Sequence, residues 1–319
     1  MISFIIIAKN EAITLKKCFD SIFNTIKNNR FSQYEVLYVD SNSRDNSIEI
    51  AKQYNAIKIL RLTGYCSPAI ARNIGAKEAK GSIFFFIDGD SSINPAFIDL
   101  NKLLKQSEAY VYGPFSDITS HCNKNIDNKT IYTKEKSLFT PFHGGIFIIA
   151  RKLFDLVNGF KEKYRKAAGE DIDLSLRLLT KGYAAKYKNK IIAYHYTVDY
   201  LSFQRAWQML WNGSQLYARS VLYRDHLFNK KLWPLFLRRE YGLMALLISL
   251  VVCVLMNSFL PLLLYAATTL FRILFQRNKK WFDIPNRLLY YPTRDVYVFL
   301  GMLFFFPRKP KNIKYEIIK

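Results

Sequence analysis

No two cysteines in this chain are close together. Cys18, Cys66, Cys122 and Cys253 form no CxxC pair, so neither a zinc knuckle nor a disulfide framework organises the fold, and a reducing cytosol is the simplest compartment. A basic leader and a cleavage site are also missing: the chain opens directly on apolar residues, which argues against a secretory signal. Acidic side chains are scarce, 25 against 47 Lys and Arg in 319 residues, giving a net charge of +22. The basic residues do not gather into a nucleic-acid-binding module, so nucleic acid is not an expected partner. Residues 201–319 hold 18 Lys and Arg against 5 Asp and Glu, a net of +13, which leaves +9 for the first 200. Positive charge flanking very apolar sequence suits an anionic membrane surface. The plainer alternative is a lysine-rich solvated surface.

Half of the residues are hydrophobic, enough for a substantial core in one large domain or two small ones. Apolar runs at residues 2–8, 34–40, 56–61 and 82–88 read as strands. The stretches between them, 11–28, 45–54 and 67–80, read as helices. Strand, polar turn and helix repeating in this way indicate right-handed βαβ units on a parallel sheet, with the ligand site at the carboxyl ends of the strands.

The fourth run, Ile83 to Ile87, ends in Asp88, Gly89 and Asp90. Two carboxylates at a sheet edge can hold a divalent cation and through it a diphosphate, and the bare Gly89 is expected to let the ligand approach the backbone. The second run ends in Asp40, followed by the polar turn Ser41 to Asp45. A third cluster opens residues 169–182, GEDIDLSLRLLTKG. Its leucines give a helix one apolar side, and Glu170 and Asp171 lie in the first turn, where the helix dipole favours negative charge. Capping alone would explain one acid there. Three, with Asp173, make a general base the better reading.

The tail is different in kind. Residues 241–271 contain no charged side chain and would exceed the roughly 30 Å hydrocarbon core as one straight helix. Asn257, Ser258 and Pro261 near the middle favour a break. Arginines and lysines on both flanks disfavour a single crossing and favour a re-entrant hairpin or two tilted helices. The alternative is a buried hairpin in a soluble subdomain. Val296 to Phe306 is too short to span and is expected to lie at the interface, as are the Trp-bearing, Arg-rich helices of residues 201–240.

The blocks SFIIIAKNEAITLKKCFDSI, YEVLYVDSNSRDNS, ARNIGAKEAKGSIFFFIDGD, HGGIFIIARKLFDLVNGF and GEDIDLSLRLLTKGY, in that order over residues 1–200, resemble the family 2 glycosyltransferases. The resemblance implies an α/β GT-A fold, a Rossmann-like doubly wound and mostly parallel sheet, here with a helical, membrane-associated C-terminal region. It divides residues 1–200 into a nucleotide-sugar-binding half (1–105) and an acceptor-binding half (106–200), to which the composition of the tail adds interfacial helices (201–240) and an apolar hairpin with a basic tail (241–319). It implies donor contacts from Ala8, Asn10 and Glu11 of the AKNEA turn, from Asp40, Arg72 and Asp88, and from Asp90, which would ligate Mg²⁺ or Mn²⁺ together with His195. An exposed helix charge is the alternative for Arg72, and a packed or surface histidine for His195. Asp171 becomes the catalytic base with Glu170 as its support, and His143, Gly144 and Gly145 face the acceptor.

The implied reaction moves one sugar, with inversion, from a nucleotide-diphosphate donor to a hydroxyl of a glycan or lipid-linked saccharide at the cytoplasmic face of the cell membrane. Processive members usually carry QxxRW; here Gln204, Arg205, Ala206 and Trp207 have the wrong spacing, so a non-processive type is expected. Ser41 stands directly after Asp40, where many relatives have a second acid, which loosens the expectation for donor-base contacts. A nucleotidyltransferase is a rival, but its usual Gly-rich basic loop after the first strand is absent. A catalytically inactive nucleotide-sugar-binding protein is the other.

Overall fold

The computed structural model describes residues 1–105, 109–119, 128–132, 144–187, 190–197, 203–275 and 284–319. The chain forms two units, Met1–Tyr200 with Arg308–Lys319, and Leu201–Pro307.

In the first unit the strands are β1 (Ile2–Ala8), β2 (Tyr34–Asp40), β3 (Ile57–Leu62), β4 (Ile83–Asp88), β5 (Ser91–Ile93), β6 (Tyr110–Tyr112), β7 (Phe115–Thr119), β8 (Asn128–Tyr132), β9 (Ile146–Ala150), β10 (Lys186–Tyr187), β11 (Ala193–Thr197) and β12 (Tyr315–Ile317). Its helices are α1 (Ala12–Asn28), α2 (Ser47–Lys52), α3 (Pro68–Glu78), α4 (Leu100–Leu104), α5 (Arg151–Leu156) and α6 (Glu170–Thr180). An eight-stranded sheet runs in the order β10-β6-β9-β4-β1-β2-β3-β12. Strands β4, β1, β2 and β3 are parallel, while β9 and β12 are antiparallel to their neighbours. The expected strands and helices up to residue 90 all form, within two residues for the strands.

The strands read as continuous apolar runs because both sheet faces are covered. On β4, Phe85 joins the cluster with Phe19 and Ile22 of α1, while Phe84 and Phe86 join Ile70 and Ile74 of α3 on the other face, as period-2 alternation requires. Helix α3 starts where Ser67 accepts the Ile70 N–H and Pro68 supplies a preset φ. The carboxyl ends of β1, β2 and β4 therefore lie along one edge and carry Ala8, Asp40 and Asp88.

A second sheet has the order β5-β11-β7-β8. In it His195 is the register partner of Ser91 on one side and of Asp117 on the other.

The last segment departs from the expected division. Residues 308–319 belong to the α/β unit, where β12 pairs antiparallel with β3. The alternation of Ile313, Tyr315 and Ile317 with Lys314 and Glu316 is the strand signal. It was masked by the basic apolar sequence before it.

The second unit is helical: α7 (Phe203–Trp211), a π-helical stretch (Leu216–Val221), α8 (Leu222–Asp225), α9 (Trp233–Arg239), α10 (Tyr241–Met256), α11 (Leu262–Leu274) and α12 (Ile284–Phe304). The apolar run is broken as expected, with Asn257 in the left-handed region at φ 45°. Val296 to Phe304 is part of α12. Among the described residues no single helix is long and apolar enough to cross a membrane; α9 and α10 together pass that test but are bent by 84°.

Candidate active site

The turn after β1 is held by the turn after β2. Asn10 takes a left-handed conformation at φ 57°. Its N–H donates to Ser43 Oγ at 2.9 Å, and its Oδ1 accepts the Arg44 N–H at 2.8 Å. Glu11 N–H donates to Ser47 Oγ at 3.2 Å. Ala8, buried at the end of β1, accepts the Ser41 N–H.

Asp40 is wholly enclosed. Tyr38 donates its hydroxyl to one carboxylate oxygen (2.9 Å) and Ser43 its N–H to the other (2.8 Å). In this conformation Asp40 shapes the turn rather than presenting a surface to a donor. Gly89 also differs from expectation. A Cβ there would lie 2.6 Å from the Ala8 side chain, so the glycine admits the neighbouring strand end, not a ligand.

Arg72 is buried, which removes the exposed-charge alternative. Its Nη2 donates to Asp88 Oδ1 at 2.8 Å and its Nη1 to Glu170 Oε1 at 3.1 Å. One guanidinium thus ties the end of β4 to the start of α6. Burial raises the Glu170 carboxyl to about 7, with repulsion from Asp171 adding and Arg72 opposing. Burial likewise lifts Asp88, to about 6, against the attraction of Arg72.

Helix α6 can begin abruptly because Gly169 sits at φ 89°. Asp171 then projects from its first turn, and its Oδ2 accepts the Gly144 N–H at 2.7 Å. Gly145 completes the link: its carbonyl accepts the Asp88 N–H, and a Cβ on it would meet Asp88 Oδ2 at 2.9 Å. The two glycines expected to face an acceptor therefore join the Asp88 strand end to the Asp171 helix start. His143 lies outside the described residues.

Asp90 Oδ2 and His195 Nε2 are 3.2 Å apart, and His195 Nδ1 contacts Asp117 Oδ1 at 2.8 Å. Burial lowers the imidazole's affinity for a proton, but bonds to Asp90 and Asp117 outweigh it and raise the pKa to about 9. Sequence reasoning missed Asp117. Its only signal is that it is the sole charged residue between 109 and 119.

This donor set fits a divalent cation: a carboxylate and an imidazole meet at one point, and a second carboxylate fixes the ring from behind, as ligating histidines commonly require. Among the described residues no three His, Cys, Asp or Glu side chains converge as a complete cage. Oxygen atoms of a diphosphate would complete the shell, as is usual for Mg²⁺.

Residues 3–161 match the family model described as glycosyl transferase family 2, and residues 126–199 match that described as the N-terminal domain of galactosyltransferase. Glycosyltransferase AglE of Haloferax volcanii is 35% identical over 102 residues, 31% of this chain and 33% of that protein. The poly(ribitol-phosphate) beta-glucosyltransferase of Bacillus spizizenii is 28% identical over 158 residues, 48% of this chain and 23% of that one. The chain thus spans a third or less of the length of these relatives. Among solved structures, the mannosyltransferase PcManGT of Pyrobaculum calidifontis, in complex with GDP-Man and Mn²⁺, superposes with a TM-score of 0.59 at 16% identity, covering 92% of this chain and 86% of that one. At that identity the likeness establishes the fold, which is GT-A-like.

Proposed function

The chain belongs to glycosyl transferase family 2, and from that premise we propose that it transfers one sugar, with inversion, from a nucleotide-diphosphate donor to a hydroxyl of a glycan or lipid-linked saccharide. The observation that carries this reading is the Arg72 bridge, which brings the Asp88–Asp90 strand end and the Glu170–Asp171 helix start into one site. Asp90 and His195 would hold Mg²⁺ or Mn²⁺, which supplies Lewis-acid stabilisation of charge on the diphosphate leaving group.

The chain's own residues do the rest. Asp171 takes the proton of the acceptor hydroxyl as the new glycosidic bond forms, a role that contributes about 10² to 10⁴ in rate. The Gly144 N–H aims its Oδ2, which keeps a second lone pair for that proton. Glu170, pinned by Arg72, holds the α6 start in place. The turns at Asn10 and Ser43 support the nucleotide through backbone groups that the Asp40 carboxylate keeps in order. A base facing the leaving group across the anomeric carbon gives direct displacement, hence inversion.

Localisation at the cytoplasmic face of a membrane belongs to the same proposal. It is supported by the apolar, broken pair α10 and α11 and the basic residues around them. The test is a screen of nucleotide sugars with purified protein and Mn²⁺, with and without chelator. Chelator-sensitive turnover and a product of opposite anomeric configuration by NMR are expected. Retained configuration would remove the single-displacement mechanism.

A further inference from the structure

Helices α3 and α6 are tied together twice. Inside the site, Arg72 of α3 donates to Glu170 of α6. Behind it, the turn of residues 157–162 is bonded to both helices, and the proposed chemistry makes no use of it. Asn73, next to Arg72 on α3, donates its Nδ2 to the Phe160 carbonyl at 2.9 Å and to Glu162 Oε1 at 3.1 Å, and its Oδ1 accepts the Phe160 N–H at 2.9 Å. Both donors of the amide and its oxygen are thus engaged.

From the other side, Arg177 of α6 donates to the carbonyls of Val157 and Gly159, the latter at 2.8 Å, and pairs with Asp173 one helical turn earlier at 2.7 Å. Asp173, wholly buried, also holds Lys161 at 3.0 Å. At the outer end Lys309 meets Glu162 at 2.7 Å. The turn is therefore a spacer, fixed to α3 through Phe160 and Glu162 and to α6 through two carbonyls.

Its backbone is bent to fit. Asn158 and Gly159 are successive residues in the left-handed region, at φ 54° and 61°. A Cβ on Gly159 would stand 2.7 Å from Asn73 Oδ1 and 2.9 Å from the Phe154 ring, so glycine is what admits Asn73. The turn delivers Phe160, which is 2% exposed and packs on Phe86, Phe147 and Phe154. The Phe160 ring centroid lies 5.4 Å from the Arg72 guanidinium. It is a fixed floor beneath the fork that spans Asp88 and Glu170.

We propose that Asn73 and Arg177 are positioning residues for the transfer reaction: through the turn 157–162 they hold α3 and α6 at the spacing where one Arg72 guanidinium reaches both Asp88 and Glu170, and so aim Asp171 at the acceptor hydroxyl. A guanidinium fork is rigid, so it serves two acceptors only within a narrow range of separations. The proposal rests on the transferase reading of the site and extends its machinery to residues behind the reacting groups. Polarity carries the role of Asn73, whose donors face a carbonyl and a carboxylate while its oxygen faces an N–H.

The test measures kcat, donor affinity by calorimetry and melting temperature on the full chain, with a crystal structure of each variant. Asn73→Asp sets a carboxylate against the Phe160 carbonyl and Glu162. It should lower kcat about 10- to 100-fold, the loss that a small misplacement remote from the chemistry produces, with donor affinity near wild type. Adding Glu162→Gln reverses the polarity of that bond and should recover most of the kcat. Arg177→Lys keeps the charge beside Asp173 but gives up a carbonyl of the turn, and should show the same selective loss of kcat even where Asn73→Asp fails to fold. Asn29→Ala is the control: it removes an amide that likewise holds backbone groups, at Thr25 and Leu100, at the end of α1 remote from the Asn10 turn, and should lower the melting temperature alone. Wild-type kcat in Asn73→Asp or Arg177→Lys, or a kcat that falls equally in Asn29→Ala, overturns the proposal. If the wild-type protein turns over no donor, the transferase reading fails and the crystal structures decide the spacer separately: Arg72 displaced from Glu170 in the variants supports it, and Arg72 unmoved overturns it.

Discussion

Removing the Arg72 guanidinium would deprive Glu170 of its cation while Asp171 remains beside it. Breaking one partner out of a buried ion pair costs about 3–5 kcal/mol; the partial exposure of Asp88, whose side chain is 31% accessible, puts Arg72→Met toward the lower end. Chemical denaturation should show that loss, and adding Glu170→Gln should recover part of it. The Glu170 carboxyl also sets a pH dependence. Its folded value of about 7 lies above the ordinary 4.5, so the folded state holds its proton more tightly than the unfolded chain. That contribution to stability is complete below about pH 4.5 and is lost as pH rises through about 7. Asp88 acts in the same direction. The metal-free protein is expected to melt progressively lower across this window, and Glu170→Gln should flatten the dependence; an unchanged slope would place the titration elsewhere. Asp171 is tested by function instead. Asp171→Asn keeps the shape and removes the proposed base, so transfer should fall by at least about 10² while nucleotide-diphosphate binding, measured by calorimetry, stays within a few-fold.

At the level of elements, the register of β7, β11 and β5 brings together Asp90 and His195, the pair proposed to hold the cation, from residues that are far apart in sequence. Asp117 bonds His195 Nδ1, away from the nitrogen that faces Asp90; on the proposed metal role of that pair, Asp117→Asn should weaken Mn²⁺-dependent donor binding by about 10- to 100-fold, with the cation-independent part preserved. The β4-to-β9 join makes a different demand. Gly145→Ala would drive a Cβ against Asp88 Oδ2, so activity is expected to drop well before the melting temperature does. Asp117 was not legible in the sequence because nothing local marks it: it becomes a partner of His195 only through strand pairing across 78 residues. The pair Asp88, at the end of β4, and Asp90, just after it, was by contrast legible, since an apolar run ending in two acids is a local pattern.

For the whole molecule, the return of residues 308–319 to the sheet changes how the proposed membrane attachment must be tested. Truncation anywhere before residue 308 also strips β12 and the bonds from Thr63, Gly64 and Tyr65 to the segment 312–314, so it unsettles the α/β unit as well as removing helices. Deleting residues 308–319 alone should lower the melting temperature by several degrees, about 2–4 °C for each kcal/mol in a unit of this size, while leaving every candidate site residue in place. The sequence by itself determined the βαβ order, the strand ends that carry Asp40, Asp88 and Asp90, the α6 start with Glu170 and Asp171, and the break in the apolar tail, because each is written in periodicity or punctuation within some ten residues. Only the tertiary structure decided that Asp40 turns inward, that Gly89 is spoken for by Ala8, that Arg72 spans two acids, that Asp117 backs His195 and that the chain's end closes the sheet. Those outcomes depend on which side chains long-range pairing brings within hydrogen-bonding distance, and no local pattern encodes that distance.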